Sequence, residues 1–219
     1  MLGVVSSSLI ARSNFKKQQL LLLFLCLDLL LFEKSSHFIG AMKPYPHVIE
    51  TDRLILRPFE ISDGSRVQEL VDCREVYEVT SLIPYPYKDG MAEDWIATHK
   101  KAYDEDRGVV FAIVEKKSLD IIGAIGIGGD QQNKRGTMGY WIGVPYWGQG
   151  YATEAAKAAL DFAFNVLDYH RVEADHFECN PASGRVLQKI GMQREGRMID
   201  HVLKDGVYHT CILYGIVNK

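Results

Sequence analysis

The chain has 219 residues, of which 47% are hydrophobic and 24% charged, a length that fits one globular domain or one domain with an extension. Its 25 lysines and arginines against 28 aspartates and glutamates leave a net charge of −3 without any long basic run, which argues against a nucleic-acid partner. The four cysteines are widely spaced and form no C-x-x-C pair, so we expect no metal site and a reducing compartment, the cytoplasm.

Residues 1–41 differ in composition from the rest of the chain. Between Leu20 and Phe32 every position is apolar except Asp28. As a helix rising roughly 1.5 Å per residue, this run would span about 20 Å, short of the ~30 Å hydrocarbon core, so we expect no membrane span. Three interpretations stay open: a targeting segment, a helix that packs on its own domain or on a partner, and an upstream extension with Met42 as the working start.

Residues 42–219 are expected to form the functional domain. This part of the chain carries 21 basic and 26 acidic residues, because four of the basic and two of the acidic residues precede Met42. The resulting charge of −5 suits a cationic substrate without proving one.

The first half of this domain predicts one strand, two helices and an antiparallel meander of three strands. Alternating polar and apolar residues indicate the strands, and Ser62-Asp63 is a typical helix N-cap. In chain order the elements are a strand at 48–59, a helix of about ten residues after Asp63, a helix at 91–104, and strands at 109–116, 120–129 and 137–143.

The second half begins with a long helix, because apolar residues recur at helical spacing from Gly150 to Leu167 with an alanine-rich face. A strand at 171–178, a short helix at 182–190 and two strands at 197–203 and 207–217 follow, the last two joined by the hairpin signal Asp205-Gly206. The order predicts an α/β fold with a mixed sheet of six or seven strands and about four helices.

The segment YWIGVPYWGQGYATEA (140–155) carries the clearest chemical signal. Gly148 and Gly150 allow a tight turn directly before the long helix, whose free amides and dipole favour an anion such as a diphosphate. A strand–turn–helix corner that uses glycine only for steric reasons is the alternative. No G-K-[ST] sequence exists for a Walker loop, and Thr153 stands where a dinucleotide fingerprint needs a small residue.

Four patches in one order resemble the GNAT superfamily of N-acetyltransferases, and specifically its Rim-type branch of ribosomal-protein N-terminal acetyltransferases. The patches are IETDRLILRPFEISD (49–63), GQGYATEA (148–155) after GYWIG, ECNPAS (178–183) and LQKIGM (187–192). The similarity covers about 49–217. It implies acetyl-CoA as cofactor and an N-acetyltransferase with a parallel central strand pair that splays apart.

The resemblance also implies which residues bind acetyl-CoA. The backbone of the strand at 140–144 would hold the pantetheine arm, and the loop before the long helix would hold the pyrophosphate. The expected cofactor-binding residues are Ile142, Val144, Trp147, Gly148, Gln149, Gly150, Tyr151, Ala152, Thr153, Asn180 and Ser183. Trp147 departs from the Arg or Gln usual at its position, so we expect backbone amides rather than its side chain to bind the phosphates.

The thioester would enter where strands 137–143 and 171–178 separate, which we attribute to Pro145 ending the first strand's pairing. The Val144 amide is our candidate donor to the thioester carbonyl, with an ordinary apolar strand residue as the alternative. In the Rim-type branch the residue matching Ser183 is thought to protonate the departing thiolate; the alternative for Asn180 and Ser183 is a helix cap followed by a solvated first turn.

The general base is less defined, because the branch often has Glu where this chain has Thr137. His201 is our first candidate, ahead of Asp200, His176 and Glu178. The acceptor is a primary amine, either a protein N-terminus such as that of a ribosomal protein or a small molecule such as an antibiotic, polyamine or amino acid. A non-catalytic acyl-CoA-binding module is a third possibility, and the chain is expected to be a monomer or homodimer without nucleic-acid or membrane partners.

Overall fold

The computed structural model describes residues 48–219, so the expectations for residues 1–41 lie outside the described part. The strands are β1 (Ile49–Glu50), β2 (Leu54–Arg57), β3 (Gly108–Glu115), β4 (Ile121–Asp130), β5 (Arg135–Ile142), β6 (Arg171–Phe177), β7 (Gln193–Lys204) and β8 (Val207–Val217). The helices are α1 (Gly64–Val71), α2 (Arg74–Val79), α3 (Met91–Asp104), α4 (Tyr151–Asn165) and α5 (Pro181–Lys189). None of these helices has the length and apolar character needed to span a bilayer.

The predicted mixed α/β architecture is confirmed. Residues 48–219 form eight strands and five α-helices, one strand and one helix more than the sequence predicts. The expected strand at 48–59 is divided by a turn, in which the Thr51 amide donates to the Leu54 carbonyl at 3.0 Å, so β1 folds back on β2. The additional helix, α2, buries only Val76 and therefore shows too little periodicity to be recognised.

All strands join one eight-stranded sheet in the order β1-β2-β3-β4-β5-β6-β8-β7. Neighbours are antiparallel except for β5 and β6, which pair in parallel over only three residues, from Arg135↔Arg171 to Thr137↔Glu173. Beyond Thr137, β5 stays with β4 and β6 stays with β8, so a gap opens between them.

The cause that we assigned to this gap is wrong. Pro145 lies beyond the end of β5, in a 3-10 turn at Val144–Tyr146, and the pairing with β6 has already stopped after Thr137. The strands separate because each follows its antiparallel neighbour on the outer side, to Ile142 on β5 and to Phe177 on β6.

Each face of the sheet carries one hydrophobic core. On the first face, α4 packs through alanines that are fully buried, Ala155, Ala156, Ala159 and Ala163, against strand residues such as Ile125. Small side chains allow the helix to approach the sheet closely, as its alanine-rich face predicts. The second face is covered by α1 and α3, with Val67, Val71 and Ile96 in its core.

A buried histidine is part of the second core. His99 on α3 is 4% exposed and lies edge-on to Trp95, with ring centroids 4.4 Å apart, and beside Phe59. Neither of its ring nitrogens has a hydrogen-bond partner within residues 48–219. Burial lowers the pKa of His99 to about 4 from its ordinary value of 6.5, because the charged imidazolium would lose its hydration.

This histidine should make the stability of the protein sensitive to mild acid. As the pH falls below 6.5, His99 becomes protonated in the unfolded chain, whereas in the folded protein it stays neutral until about pH 4. The free energy of unfolding therefore decreases across that pH interval. We expect His99→Leu to reduce the loss in free energy of unfolding between pH 7 and pH 4 by about 3 kcal/mol. Urea denaturation at both pH values measures the difference; an equal loss in variant and unaltered protein would contradict it.

Candidate active site

The gap between β5 and β6 is lined by backbone groups of β5 that no strand pairs. The Gly143 amide donates to the Ile122 carbonyl of β4 at 2.9 Å. Because successive residues of a strand point their polar groups to opposite sides, the amides of Ile142 and Tyr140 are directed away from β4 and toward the gap. A free strand edge of this kind can pair with a further extended chain, and it suits the amide groups of an extended ligand.

Two hydroxyl groups meet across the gap. The Tyr140 hydroxyl of β5 lies 2.8 Å from the Ser183 hydroxyl in the first turn of α5. Burial raises the pKa of Tyr140 to about 12, against the opposing effect of the Ser183 hydrogen bond, so the phenol keeps its proton at neutral pH. Ser183 therefore faces the gap rather than open solvent.

The loop before α4 presents unpartnered amides. Gly148 and Gly150 have φ angles of 74° and 84°, which glycine adopts without the steric cost that a side chain brings. No side chain caps α4, and within residues 48–219 the amides from Gly148 to Thr153 have no hydrogen-bond acceptor. These amides lie at the positive end of the helix dipole, so the arrangement fits a diphosphate.

The side chains of the same loop bind to the protein itself. The Trp147 indole donates to the Ile142 carbonyl at 2.6 Å, and the Gln149 side-chain amide donates to the Pro145 carbonyl at 3.0 Å. The Tyr151 side chain is buried, with its hydroxyl bonded to Glu115. These side chains shape the loop and leave its backbone amides to face a ligand.

Asn180 and Val144 lie at the two edges of the gap. Asn180 caps α5, because its side-chain oxygen accepts from the Ser183 amide at 3.3 Å. Val144 begins the 3-10 turn after β5; its carbonyl accepts from the Trp147 amide, and its own amide has no acceptor within the described chain. Both positions are compatible with cofactor contact.

Two of the candidate bases are engaged in other contacts. His176 is buried on the face of β6 that α5 covers, with Nδ1 2.8 Å from the Phe177 carbonyl. Glu178 forms a bidentate ion pair with Arg197, in which each nitrogen–oxygen distance is 2.6 Å. These hydrogen bonds lower the pKa of Glu178. Within residues 48–219 no hydrogen bond joins either side chain to Tyr140 or Ser183, although His176 Nε2 is buried against Gly184 of α5 without a hydrogen-bond partner.

His201 and Asp200 are exposed, in the irregular part of β7 between Met198 and Val202.

The structure adds one carboxylate that the sequence interpretation missed. Asp175 is exposed on the face of β6 opposite α5, two residues beyond the last β5–β6 pair. Burial and the neighbouring Asp175 raise the pKa of the Cys211 thiol to about 12.

Two further residues of the site were missed, namely the hydroxyl of Tyr140 as a partner of Ser183 and the guanidinium of Arg53. Arg53 approaches the loop from the turn before β2 and donates from Nη1 to the Gln149 carbonyl at 3.0 Å. Arg53 and Glu154 lie in two of the motif patches and carry opposite charges, but their separation of 101 residues leaves no local spacing that would reveal the contact.

Comparison with known proteins identifies the family of the chain. The family model for the acetyltransferase (GNAT) domain matches residues 53–193. The chain is 30% identical over 173 residues to the uncharacterized N-acetyltransferase YoaA of Bacillus subtilis, covering 78% of this chain and 96% of that protein. It is 27% identical over 176 residues to the putative ribosomal N-acetyltransferase YdaF of the same organism, covering 77% and 93%.

Solved structures share the fold. A ribosomal alpha-N-protein acetyltransferase, RimL, in complex with coenzyme A superposes with a TM-score of 0.72 at 18% identity, covering 78% of this chain and 98% of that one.

Replacement of a loop glycine should separate ligand binding from stability. Gly150→Ala and Gly90→Ala place a methyl group at N-cap positions with the same φ of 84°, before α4 and α3 respectively. Each should cost about 1–2 kcal/mol of stability, because L-residues are strained there. Only Gly150→Ala should also weaken acetyl-CoA binding, by about tenfold, since relief of strain turns the loop amides.

Titration calorimetry with acetyl-CoA and thermal denaturation measure the two effects. Equal acetyl-CoA affinities for the Gly150→Ala and Gly90→Ala proteins would show that the loop does not bind the cofactor.

Proposed function

The chain belongs to the acetyltransferase (GNAT) family and is an acetyl-CoA-dependent N-acetyltransferase, and from this premise we propose that it acetylates the N-terminal α-amine of a protein, such as a ribosomal protein. The observation that carries the proposal is the Tyr140–Ser183 hydroxyl pair beside a loop of free amides, at a site where Thr137 occupies the position of the branch's usual glutamate. The likeness to YdaF and RimL supports the same class of acceptor.

The protonation of the acceptor favours an α-amine. Free α-amines titrate near 7.7–8.0 and lysine near 10.4, so at pH 7 roughly one α-amine in ten is neutral, against fewer than one lysine in a thousand. A lysine acceptor would need about three more pK units, or ~4 kcal/mol, from the site. A site without a strong base near its reacting centre therefore suits an α-amine.

Acetyl-CoA supplies the acetyl group as a thioester. In our proposal the amides from Gly148 to Thr153 hold its diphosphate, and the free edge of β5 holds the pantetheine arm in the gap. The Val144 amide donates to the thioester carbonyl oxygen as negative charge develops there, a contribution of about 3–4 kcal/mol for one well-placed donor. These contacts aim the carbonyl carbon toward the acceptor.

Ser183 acts as the acid when the carbon–sulfur bond breaks. The Tyr140 hydroxyl keeps its proton and lies 2.8 Å from the Ser183 hydroxyl and 3.3 Å from the Ser183 carbonyl, so either hydroxyl of the pair can donate. In our proposal Tyr140 donates to the Ser183 hydroxyl oxygen during the reaction, which leaves the Ser183 proton directed at the sulfur. The acceptor nitrogen forms a bond to the carbonyl carbon, the sulfur leaves with the Ser183 proton, and Ser183 recovers a proton from solvent. Tyr140 is thus a positioning residue for Ser183.

The proton that the acceptor amine loses passes to a base. His201 remains our first candidate, acting through water from its exposed position on β7. Asp175 is the alternative, because its exposed carboxylate lies two residues beyond the last β5–β6 pair, beside the Cys211 thiol. A carboxylate there also attracts a cationic amine.

A small-molecule amine is the second candidate acceptor, since the mild negative charge of residues 42–219 suits a polyamine equally well. We expect thiol release from acetyl-CoA with peptides carrying free N-termini, and at least tenfold lower kcat/KM with lysine side chains in N-terminally blocked peptides and with small amines. A panel of the three classes, assayed on the full chain, measures this. A preference for small amines would overturn the acceptor assignment. If no acceptor class gave thiol release, a non-catalytic acyl-CoA-binding module would be favoured.

The hydroxyl pair should act as one unit in turnover. We expect Ser183→Ala to lower kcat by about 100-fold, within the usual range for loss of a general acid, and Tyr140→Phe to lower it by about tenfold. The double variant should match Ser183→Ala alone, because Tyr140 acts only through Ser183. Steady-state kinetics with saturating acetyl-CoA measures the three values; multiplied effects in the double variant would mean that Tyr140 acts independently of Ser183.

A further inference from the structure

The loop that binds the diphosphate in our proposal has little rigidity of its own. Gly148 and Gly150 both occupy the left-handed region, on either side of Gln149, and no side chain caps the helix that follows. Glycine loses more conformational freedom on ordering than any other residue, so such a loop needs support from outside if its amides are to be held ready for a ligand.

Arg53 supplies three contacts to this region. Its Nη1 donates to the Gln149 carbonyl at 3.0 Å, and its Nε donates to Glu154 Oε2 at 2.7 Å in the first turn of α4. Its guanidinium also lies over the Tyr151 ring, 4.5 Å from the centroid. The Arg53 side chain therefore contacts the loop and two residues in the first turn of α4, the helix that follows the loop.

Glu154 is held from the same side. The Thr51 hydroxyl donates to Glu154 Oε1 at 2.6 Å, and the Arg53 amide donates to the same oxygen at 2.8 Å. Burial alone would raise the pKa of Glu154, but these hydrogen bonds and the Arg53 guanidinium outweigh it and lower the pKa. The carboxylate is charged at neutral pH, and it fixes the Arg53 side chain in its place beside the loop.

The anchoring segment is itself tied to the sheet. The Thr51 hydroxyl accepts from the Leu54 amide at 3.0 Å, and the Arg53 carbonyl accepts from the Lys116 amide at 2.9 Å. Arg53 thus transmits the position of the β2–β3 edge to the loop, which lies 96 residues further along the chain.

We propose that Arg53 is a positioning residue for acetyl-CoA binding, which orients the Gly150 amide toward the diphosphate by holding the Gln149 carbonyl. In a trans peptide the carbonyl of one residue and the amide of the next point in opposite directions. Because Arg53 holds the Gln149 carbonyl on one side, the Gly150 amide points to the other side, with its neighbours at the helix start. The inference rests on the proposed role of the 148–153 loop.

The guanidinium also places a further donor beside the loop. Nη2 of Arg53 has no hydrogen-bond partner within the described chain and lies 3.5 Å from the point where a Cβ on Gly150 would be. Although Glu154 balances the guanidinium charge, Nη2 is a free donor beside a loop in which Trp147 stands where related loops carry Arg or Gln.

The test compares two acetyl donors that differ in the nucleotide end of the molecule, the 3′-phospho-ADP group that includes the diphosphate. Acetyl-CoA carries it and S-acetylpantetheine does not. In the full chain we expect Arg53→Met to raise the Kd for acetyl-CoA about tenfold, since the aliphatic stem stays but every donor is lost, while the Kd for S-acetylpantetheine stays within about twofold of that of the unaltered protein. Arg53→Lys should recover only part of the affinity, because an ammonium cannot contact Gln149 and Glu154 in the same planar arrangement.

Arg57→Met is the matched control. Arg57 follows on β2 and forms an ion pair with Asp63 at 2.7 Å, remote from the loop. We expect this variant to lose stability without any change in acetyl-CoA affinity.

Two results would overturn the inference. One is an unchanged Kd for acetyl-CoA in Arg53→Met. The other is an equal rise in the Kd for both donors together with a loss of thermal stability, which would mark a purely structural role. Failure of the proposed acceptor would be seen separately, because the Kd for acetyl-CoA is measured by calorimetry without any acceptor.

Discussion

The feature on which the proposed active site depends is a parallel strand pair that stops after three residues. β5 and β6 are held together only from Arg135 to Thr137 on β5, and each then follows its antiparallel neighbour. The backbone of β5 is left with an unpaired edge, which is costly unless water or a ligand satisfies it. In our proposal an extended acyl-pantetheine arm satisfies this edge, so that the position of the active site follows from sheet topology before any side chain is considered.

The two helices that follow these strands begin beside the same gap. α4 starts after β5 with a glycine loop and uncapped amides, whereas α5 starts after β6 with the Asn180 cap and brings Ser183 to Tyr140. The first amides of α4 have no side-chain cap, whereas the start of α5 is capped by the Asn180 side chain. In our proposal this difference separates a place for the diphosphate from a place for the proton donor. The alanine face of α4 packs against the sheet the helix that follows the diphosphate loop.

Local features of the sequence predicted local parts of the structure. The loop at Gly148 and Gly150, the long helix with its alanine face, and the hairpin at Asp205-Gly206 all depend on neighbours in the chain, and all lie where expected. Helix α2 was missed because one buried residue cannot show a period. The position of Ser183 came from the family resemblance, since NPAS alone is also an ordinary helix start.

Contacts between distant residues could not be predicted in this way. Tyr140 and Ser183 are 43 residues apart, and Arg53 and Glu154 are 101 residues apart, so their pairing depends on the sheet order and on the way that α4 crosses it. The role given to Pro145 was wrong for the same reason, because the end of the β5–β6 pairing is set by the outer neighbours of both strands and not by a residue that follows one of them.

The central claim is that the uncapped amides before α4 bind the diphosphate of acetyl-CoA and direct the thioester into the gap between β5 and β6. A crystal structure of the full chain with coenzyme A tests it most directly. We expect phosphate oxygens about 2.9 Å from amide nitrogens of residues 148–153, with the thiol beside the Ser183 hydroxyl. A diphosphate bound elsewhere, or a thiol outside the gap, would contradict it.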